Sequence, residues 1–452
     1  MDRRGFIRTL SALGATSALA PAAVVAETMP HGVADGTRTA GPPELTVDGA
    51  RLNDSLEELR RFGGTPDGGT HRVAFSDDDL QARRWLREIL EGAGMETRVD
   101  TAANLLARRP GRRSDLPPLL TGSHVDTVPR GGSYDGHVGV MAAVEVARTL
   151  HDAGVRTRHP LEVVVWANEE GGKTGSRAWA GEVEPSELEL STASGRTIGE
   201  GLSFLGGDPD RLDAVLKESG DLSAYFELHV EQGAVLDRRE IEIGVVEGIV
   251  GIKRWTVTVT GFANHAGTTP MDQRRDALVA AARFVDAIHR TARNRPGRQV
   301  ATVGRIEALP GAPNVIPGEA RLSLEIRDLK METIDSLFES LQEEAGRIGE
   351  ETETEFSFER FYLSRAAPTD SRLRDLVEAS ARELGLSALR MPSGAGHDAQ
   401  SVALFAPVGM IFVPSEAGIS HSPREHTLPE DVTNGANVLL RSLLSADETD
   451  WV

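Results

Sequence analysis

Two hydrophobic textures follow one another along the chain. RRWLREILEGAGM from residue 83 and GVMAAVEVARTLHDAG from residue 139 carry apolar residues at helical spacing and end near glycine. LEVVVWA from 161 and MIFVP from 410 are short continuous runs, β-branched or aromatic-rich, and predict buried strands. Alternating helices and buried strands predict an α/β domain. The texture changes near Gly248. KRWTVTVTGF alternates residue by residue, DALVAAARFVDAIHRTA is helical, and ATVGRI and ARLSLEIRD read as strands. The helix TIDSLFESLQEEAGRIG and a strand around EFSFERF complete the series. Strand, helix, strand, strand, helix, strand is the order of a compact α+β insert of the ferredoxin-like kind. There is no internal repeat and no extended low-complexity tract.

Composition then narrows the chemistry. At 452 residues, 39% hydrophobic and 26% charged, the chain has the make-up of a soluble globular protein with two domains. Net charge is -20, and no basic stripe interleaved with aromatics is present, so no nucleic-acid partner is expected. With 0 cysteines, any metal must be held by His, Asp and Glu. The N-terminus, MDRRGFIRTLSALGATSALAPAAVVAE, resembles a twin-arginine export signal. Arg3 and Arg4 precede an Ala-rich apolar run, and Val24-Val25-Ala26 offers a small-residue cleavage site. Residues 1–26 are therefore expected to direct export to the periplasm or the extracellular space, with 27–44 as a linker. The apolar run is broken by Gly14 and Pro21 and is shorter than the roughly 20 residues of a membrane span, so no stable span is expected.

Four apolar strands run into chemically loaded ends: PLLTGSHVD, LEVVVWANEE, AYFELHVEQG and MIFVPSEAGISH. Ligand sites in open α/β sheets lie at the carboxyl ends of strands. Four such ends could bring His124, Asp126, Asp135, Glu169, Glu170, His229 and His421 to one crevice. His124 and Asp126, two apart, face the same side of a strand, so the carboxylate can steady the imidazole. Glu169 and Glu170 point in opposite directions, so one can bind a metal while the other meets a water. Glycines around Tyr134 and Asp135 let the backbone approach closely. Each residue alone has a plainer reading, as a core histidine, a turn aspartate or a solvated helix start.

Taken together, GSHVDTVPRGGSYDGHVGV, NEEG, ELHVEQGAVLD, NHAGTTPMDQRRDAL, PNVIPGEARLSLEIRD, SGAGHDA and ISHSPREHT resemble one branch of a known family. It is the N-carbamoyl-L-amino-acid hydrolase and allantoate amidohydrolase branch of the two-metal aminoacylase and carboxypeptidase family, and the similarity runs from about 45 to 445. The resemblance implies a doubly wound catalytic domain, 45–247 and 360–445, interrupted by a lid, 248–359, that also forms a homodimer. It implies two divalent ions, Zn²⁺ or else Mn²⁺, Co²⁺ or Ni²⁺. One would take His124, Asp135 and His229, the other Asp135, Glu170 and His421. Glu169 would be the general base and Asp126 would steady His124. From the lid, His265 would bind the developing oxyanion, in its own subunit or across the dimer. Asn314, Arg327 and Gly396 resemble contacts to a free substrate carboxylate, and Gln232 would lie near the ureido end. His397 either lines the pocket or braces its loop.

One departure bears on specificity. Many members have Ser-Arg-Phe and further residues after NEEG, whereas here GKT leads directly to GSRAWAG, shortening the pocket wall. The expected activity is hydrolysis of a linear C-N amide, the ureido group of an N-carbamoyl-L-amino acid or an allantoate-like ureido acid. An aminoacylase or dipeptidase using the same metals is the alternative within the enzymes. An exported protein that only binds metal or ureido compounds is the alternative outside them, and it would have no need of Glu169.

Overall fold

The computed structural model describes residues 45–449 and 451; the expected export signal and linker lie outside the described residues. The first six strands are β1 (Glu96–Val99), β2 (Leu105–Arg109), β3 (Leu119–His124), β4 (Leu161–Trp166), β5 (Ala224–Val230) and β6 (Ile243–Ile249). The inserted segment follows with β7 (Gly251–Thr260), β8 (Asn264–His265), β9 (Val300–Leu309), β10 (Val315–Ile316), β11 (Glu319–Asp328) and β12 (Glu355–Ser364). The chain then returns through β13 (Ala367–Pro368), β14 (Ala388–Ser393) and β15 (Val408–Val413).

The larger sheet has the order β1-β2-β4-β3-β5-β15-β6-β13, with β14 on β6. Its centre, β4-β3-β5-β15, is parallel throughout. These are the four apolar runs with loaded ends, and every residue of each is buried. Both faces are covered, which is why the runs do not alternate. On β4, Leu161, Val163 and Val165 pack into the cluster that holds the helices His137–Asp152 and Pro429–Asp447. Val164 and Trp166 face the opposite cluster with Trp179 and Phe412. The helix begun by RRWLREILEG starts earlier than its apolar run, at Asp77. Ser76 caps it by accepting the Asp79 N–H at 3.2 Å, and three aspartates occupy the first turn, where the helix dipole favours negative charge.

The insert is a four-stranded antiparallel sheet, β12-β7-β11-β9, with the helices Ala277–Asn294 and Met331–Thr352. Here one sheet face is buried and period two returns: Trp255, Val257 and Val259 pack with Leu322, Leu324 and Ile326 against Phe284 and Leu341. Its last strand continues to Ser364. Entry and exit lie side by side, since Ser364 pairs with Ile252 and Ala367 with Ile249. Among the described residues no helix is long and apolar enough to cross a membrane.

Candidate metal centre and substrate cleft

The chain leaves β3, forms the helix His137–Asp152, returns as β4 on one side of β3, and then crosses to β5 on the other side. That reversal opens a crevice at the carboxyl ends of β3 and β5. His124 is the last residue of β3 and His229 the penultimate residue of β5. Asp135 reaches them from the loop before the helix, and Gly136 makes the approach possible. Its φ is +70°, and a Cβ there would lie 2.5 Å from the His124 ring.

Around Asp135 three imidazoles converge. Its Oδ1 lies 3.6 Å from His124 Nε2 and 3.1 Å from His229 Nε2, while Oδ2 lies 3.2 Å from His421 Nε2. Glu170 approaches His421 at 3.6 Å. Two groups of potential ligands result: His124, Asp135 and His229, and Asp135, Glu170 and His421. The ligand atoms of each group lie within 4.8 Å of one another. Asp135 is common to both. Glu169 belongs to neither, though its carboxylate is 3.8 Å from His124 Nε2.

The donors have the chemistry of a divalent-cation site. His124 Nδ1 lies 3.0 Å from the main-chain oxygen of Asp126, and His229 Nδ1 lies 2.9 Å from that of Val230. Those acceptors place the ring proton on Nδ1 and turn the Nε2 lone pair toward the cluster, the tautomer a metal requires. Gly136 N–H donates to His229 Nε2 at 3.2 Å, in keeping with that assignment. The charges agree. Burial opposes ionisation of Asp135, but the three imidazoles that face it hold its carboxyl well below the usual range. His421 is pushed up to about 9, first by its bond to Asp135, and burial with repulsion from Asp135 and Glu169 lifts Glu170 to about 8. Protons gather here because buried carboxylates outnumber cations. A divalent ion held by these residues would answer the same surplus, and its binding would displace those protons.

Asp126 meets His124 chiefly through its main chain. Its carboxylate stands 3.9 Å from His124 Nδ1, and the imidazole is held instead by the main-chain oxygen of the same residue. The carboxylate accepts the N–H groups of Glu169 at 3.3 Å and Glu170 at 3.1 Å, so it sets the backbone that carries both glutamates. Asn168, immediately before them, is in the left-handed region at φ 54°.

The residues expected to meet substrate are divided. Gln232 is inside the cluster, its Nε2 donating to Asp135 Oδ2 at 2.6 Å. Arg327 reaches from the insert to the SGAGHDA loop. Its Nε donates to Glu325 at 2.7 Å and its Nη1 to the Gly394 oxygen at 2.6 Å, so its ionic partner is Glu325 and not the adjacent Asp328. Gly396 is exposed in that loop. His397 is buried behind His229, ring centroids 4.5 Å apart, and bonds to Ser393 at 2.8 Å, a bracing position. His265 lies on the β8–β10 ribbon of the insert and Asn314 just before β10, both exposed, and among the described residues no hydrogen bond or ion pair joins them to the cluster. His265 Nδ1 accepts the N–H groups of Gly267 and Thr268 at 3.0 and 3.2 Å, which leaves its Nε2–H free to donate.

Two residues not singled out in the sequence shape the site. Glu425, inside the ISHSPREHT motif, accepts the Tyr134 and Asp135 N–H groups at 2.9 and 3.1 Å, and Ser420 Oγ lies 2.8 Å from its other oxygen. It ties the Asp135 loop to the His421 loop. Gly132 makes room for it, since a Cβ there would lie 1.9 Å from the Glu425 carboxylate. The second is Lys173, in the shortened segment after NEEG, whose ammonium donates to Gln400 Oε1.

Comparison with known proteins follows the same outline. The family described as Peptidase family M20/M25/M40 matches residues 120–445. An N-carbamoyl-L-amino acid amidohydrolase of Geobacillus stearothermophilus is 39% identical over 402 residues, covering 88% of this chain and 98% of the relative. An allantoate amidohydrolase of Bacillus subtilis is 32% identical over 400 residues, covering 86% and 95%. A crystal structure from Burkholderia multivorans, described as an amidase of the hydantoinase/carbamoylase family, superposes with a TM-score of 0.83 at 38% identity, covering 89% of this chain and 99% of that one.

Proposed function

Because the chain belongs to peptidase family M20/M25/M40 and is an amide-hydrolysing enzyme, we propose that it cleaves the ureido C-N bond of an N-carbamoyl-L-amino acid or an allantoate-like ureido acid. The proposed cofactor is a pair of divalent ions, one on His124, Asp135 and His229, the other on Asp135, Glu170 and His421. The observation that carries this reading is Asp135, whose two oxygens face three imidazole Nε2 atoms at 3.1 to 3.6 Å. The ions supply Lewis acidity at the scissile carbonyl and at the attacking water. Glu169 takes a proton from that water on a carboxylate oxygen and returns it to the leaving nitrogen. Asp126, through the two N–H groups it accepts, holds Glu169 and Glu170 at fixed offset. The Nε2–H of His265 is a donor suited to developing negative charge once the lid closes, in its own subunit or from a partner. The proposed assembly is a homodimer through the insert, whose edge strand β9 leaves Val300 and Ile306 exposed.

The test is a panel of N-carbamoyl amino acids, allantoate, N-acetyl amino acids and dipeptides, run before and after chelation and with Mn²⁺, Co²⁺ or Zn²⁺ restored. Ureido substrates are expected to lead, chelation to abolish turnover, and metal to restore it. An undiminished rate in thoroughly demetallated protein rejects the centre. Metal removal is also expected to lower the melting temperature, since an ion that binds only the folded state stabilises it by mass action.

Arg327 is assigned the substrate carboxylate, with Asn314 and Gly396. A guanidinium can leave the Gly394 oxygen for a bidentate carboxylate without leaving Glu325. Arg327→Ala is expected to weaken transition-state binding of acid substrates by about 2 kcal/mol or more, the usual loss when one member of a desolvated charge pair is truncated. Lysine should rescue only in part, lacking the planar fork. Kinetics on carboxamide analogues provide the check: equal losses on acids and amides would return Arg327 to a purely structural role.

A further inference from the structure

Lys173 stands at the edge of the cleft, and among the described residues no carboxylate lies within ion-pair distance of its ammonium. It is a non-glycine residue in the left-handed region, φ 58° and ψ 38°, a conformation that persists where the surroundings impose it. Its N–H returns to the Glu169 oxygen at 2.8 Å, so the side chain springs from the turn that carries the general base. Nζ donates to the neutral Gln400 Oε1 and, among the described residues, forms no ion pair with a carboxylate. A Cβ built on Gly396 would lie 3.3 Å from Nζ, so the ammonium abuts the loop assigned to substrate. Burial pushes its pKa below the ordinary lysine value, although Glu169 and Asp398 attract the cation. A partly desolvated ammonium whose nearest carboxylates stand beyond ion-pair distance has room for a closer anion.

A cavity of about 620 Å³ begins at this ammonium and runs between the Gly172–Arg177 segment and the returning hinge at 362–368. Arg177 on its wall is neutralised by Glu187, at 2.6 and 2.8 Å. That leaves Lys173 and Arg365 against the single carboxylate Glu182, so the lining is net positive. A separate cavity of about 600 Å³ touches the same loop at Gly394 and Ala395 and contains Gln232 and Arg327. The loop is thus flanked by one cation at Gly394 and another at Gly396.

We propose that the substrates are ureido acids carrying a second carboxylate on the side chain, which enters the cavity beside Gly396 and pairs with Lys173, while Arg327 takes the α-carboxylate. This rests on the ureido-hydrolase reading above and names its substrate class. Before substrate arrives, Gln400 holds the ammonium in place, its own amide anchored by Ser364 Oγ at 3.0 Å and by the Arg365 oxygen. A substrate carboxylate replaces a neutral acceptor with a charged one, the stronger partner for an ammonium.

N-carbamoyl-L-glutamate and N-carbamoyl-L-glutamine differ in side-chain charge at nearly constant shape, so their kcat/KM ratio reads this contact. The metal-loaded enzyme is expected to favour the glutamate compound by at least about tenfold, mainly through KM, a modest yield for a charge-assisted pair. Lys173→Met should erase the preference and Lys173→Arg should keep part of it, each with an unchanged melting temperature. Equal losses on both compounds in Lys173→Met would make Lys173 a latch to the hinge and overturn the proposal, as would no preference in the native enzyme. Calorimetry with glutarate and with 4-carbamoylbutyrate, neither of which carries a ureido bond, is independent of turnover. Tighter binding of glutarate that vanishes in Lys173→Met supports the cation site even if no ureido compound is hydrolysed, whereas equal binding rejects it.

Discussion

Asp135→Asn is expected to lower kcat by about 10³-fold or more and to strip metal from the protein, the largest effect of any single replacement at this centre. The amide keeps the shape but removes the negative charge that three imidazoles face at 3.1 to 3.6 Å. Because both ligand groups share this residue, the loss should not be confined to one ion. Metal analysis of the purified variant, beside its turnover of an N-carbamoyl amino acid, gives the result. A variant that retains its full metal complement would show that Asp135 bridges nothing. Added metal should also fail to raise the melting temperature of the variant as it does that of the native protein.

Glu169→Gln should separate proton transfer from metal binding. Loss of about 10²- to 10⁴-fold in kcat is expected, with metal content unchanged. Burial raises the pKa of Glu169, while His124 and Lys173 act in the opposite direction, so its affinity for a proton is set by a balance rather than by exposure to water. Glutamine keeps the N–H that Asp126 accepts at 3.3 Å, and the backbone of Glu170 should therefore stay in place. If the variant loses metal instead, Glu169 is a ligand and its assignment is exchanged with that of Glu170.

The candidate metal centre was legible in the sequence because several of its residues follow strands that are buried on both faces, and such strands announce themselves as unbroken apolar runs. His124, the Glu169–Glu170 pair and His229 each stand at or just beyond the close of such a run. What was not legible depends on loops meeting far along the chain. Glu425 supports Tyr134 from 291 residues away, and no local period records that contact. The side-by-side placement of His124 and Asp126 was readable, but which atom of Asp126 holds the ring depends on how the chain turns after β3. Lys173 was passed over because its meaning comes from Gln400 and Gly396, more than 200 residues downstream.

The neighbouring passages into and out of the insert, where Ser364 lies beside Ile252 and Ala367 beside Ile249, have a bearing on how such an enzyme can change. Every candidate metal ligand and the candidate base belong to the chain outside β7–β12, whereas His265, Asn314 and Arg327 belong to the chain inside it. The candidate metal ligands and base are therefore written on one stretch of the gene and the proposed contacts of Arg327 and Asn314 on another, joined at one narrow seam. Exchange of the inner stretch between relatives could change how the substrate's α-carboxylate is met while leaving the metal ligands and the base in place, so a drifting lineage could alter that contact without rebuilding its metal chemistry.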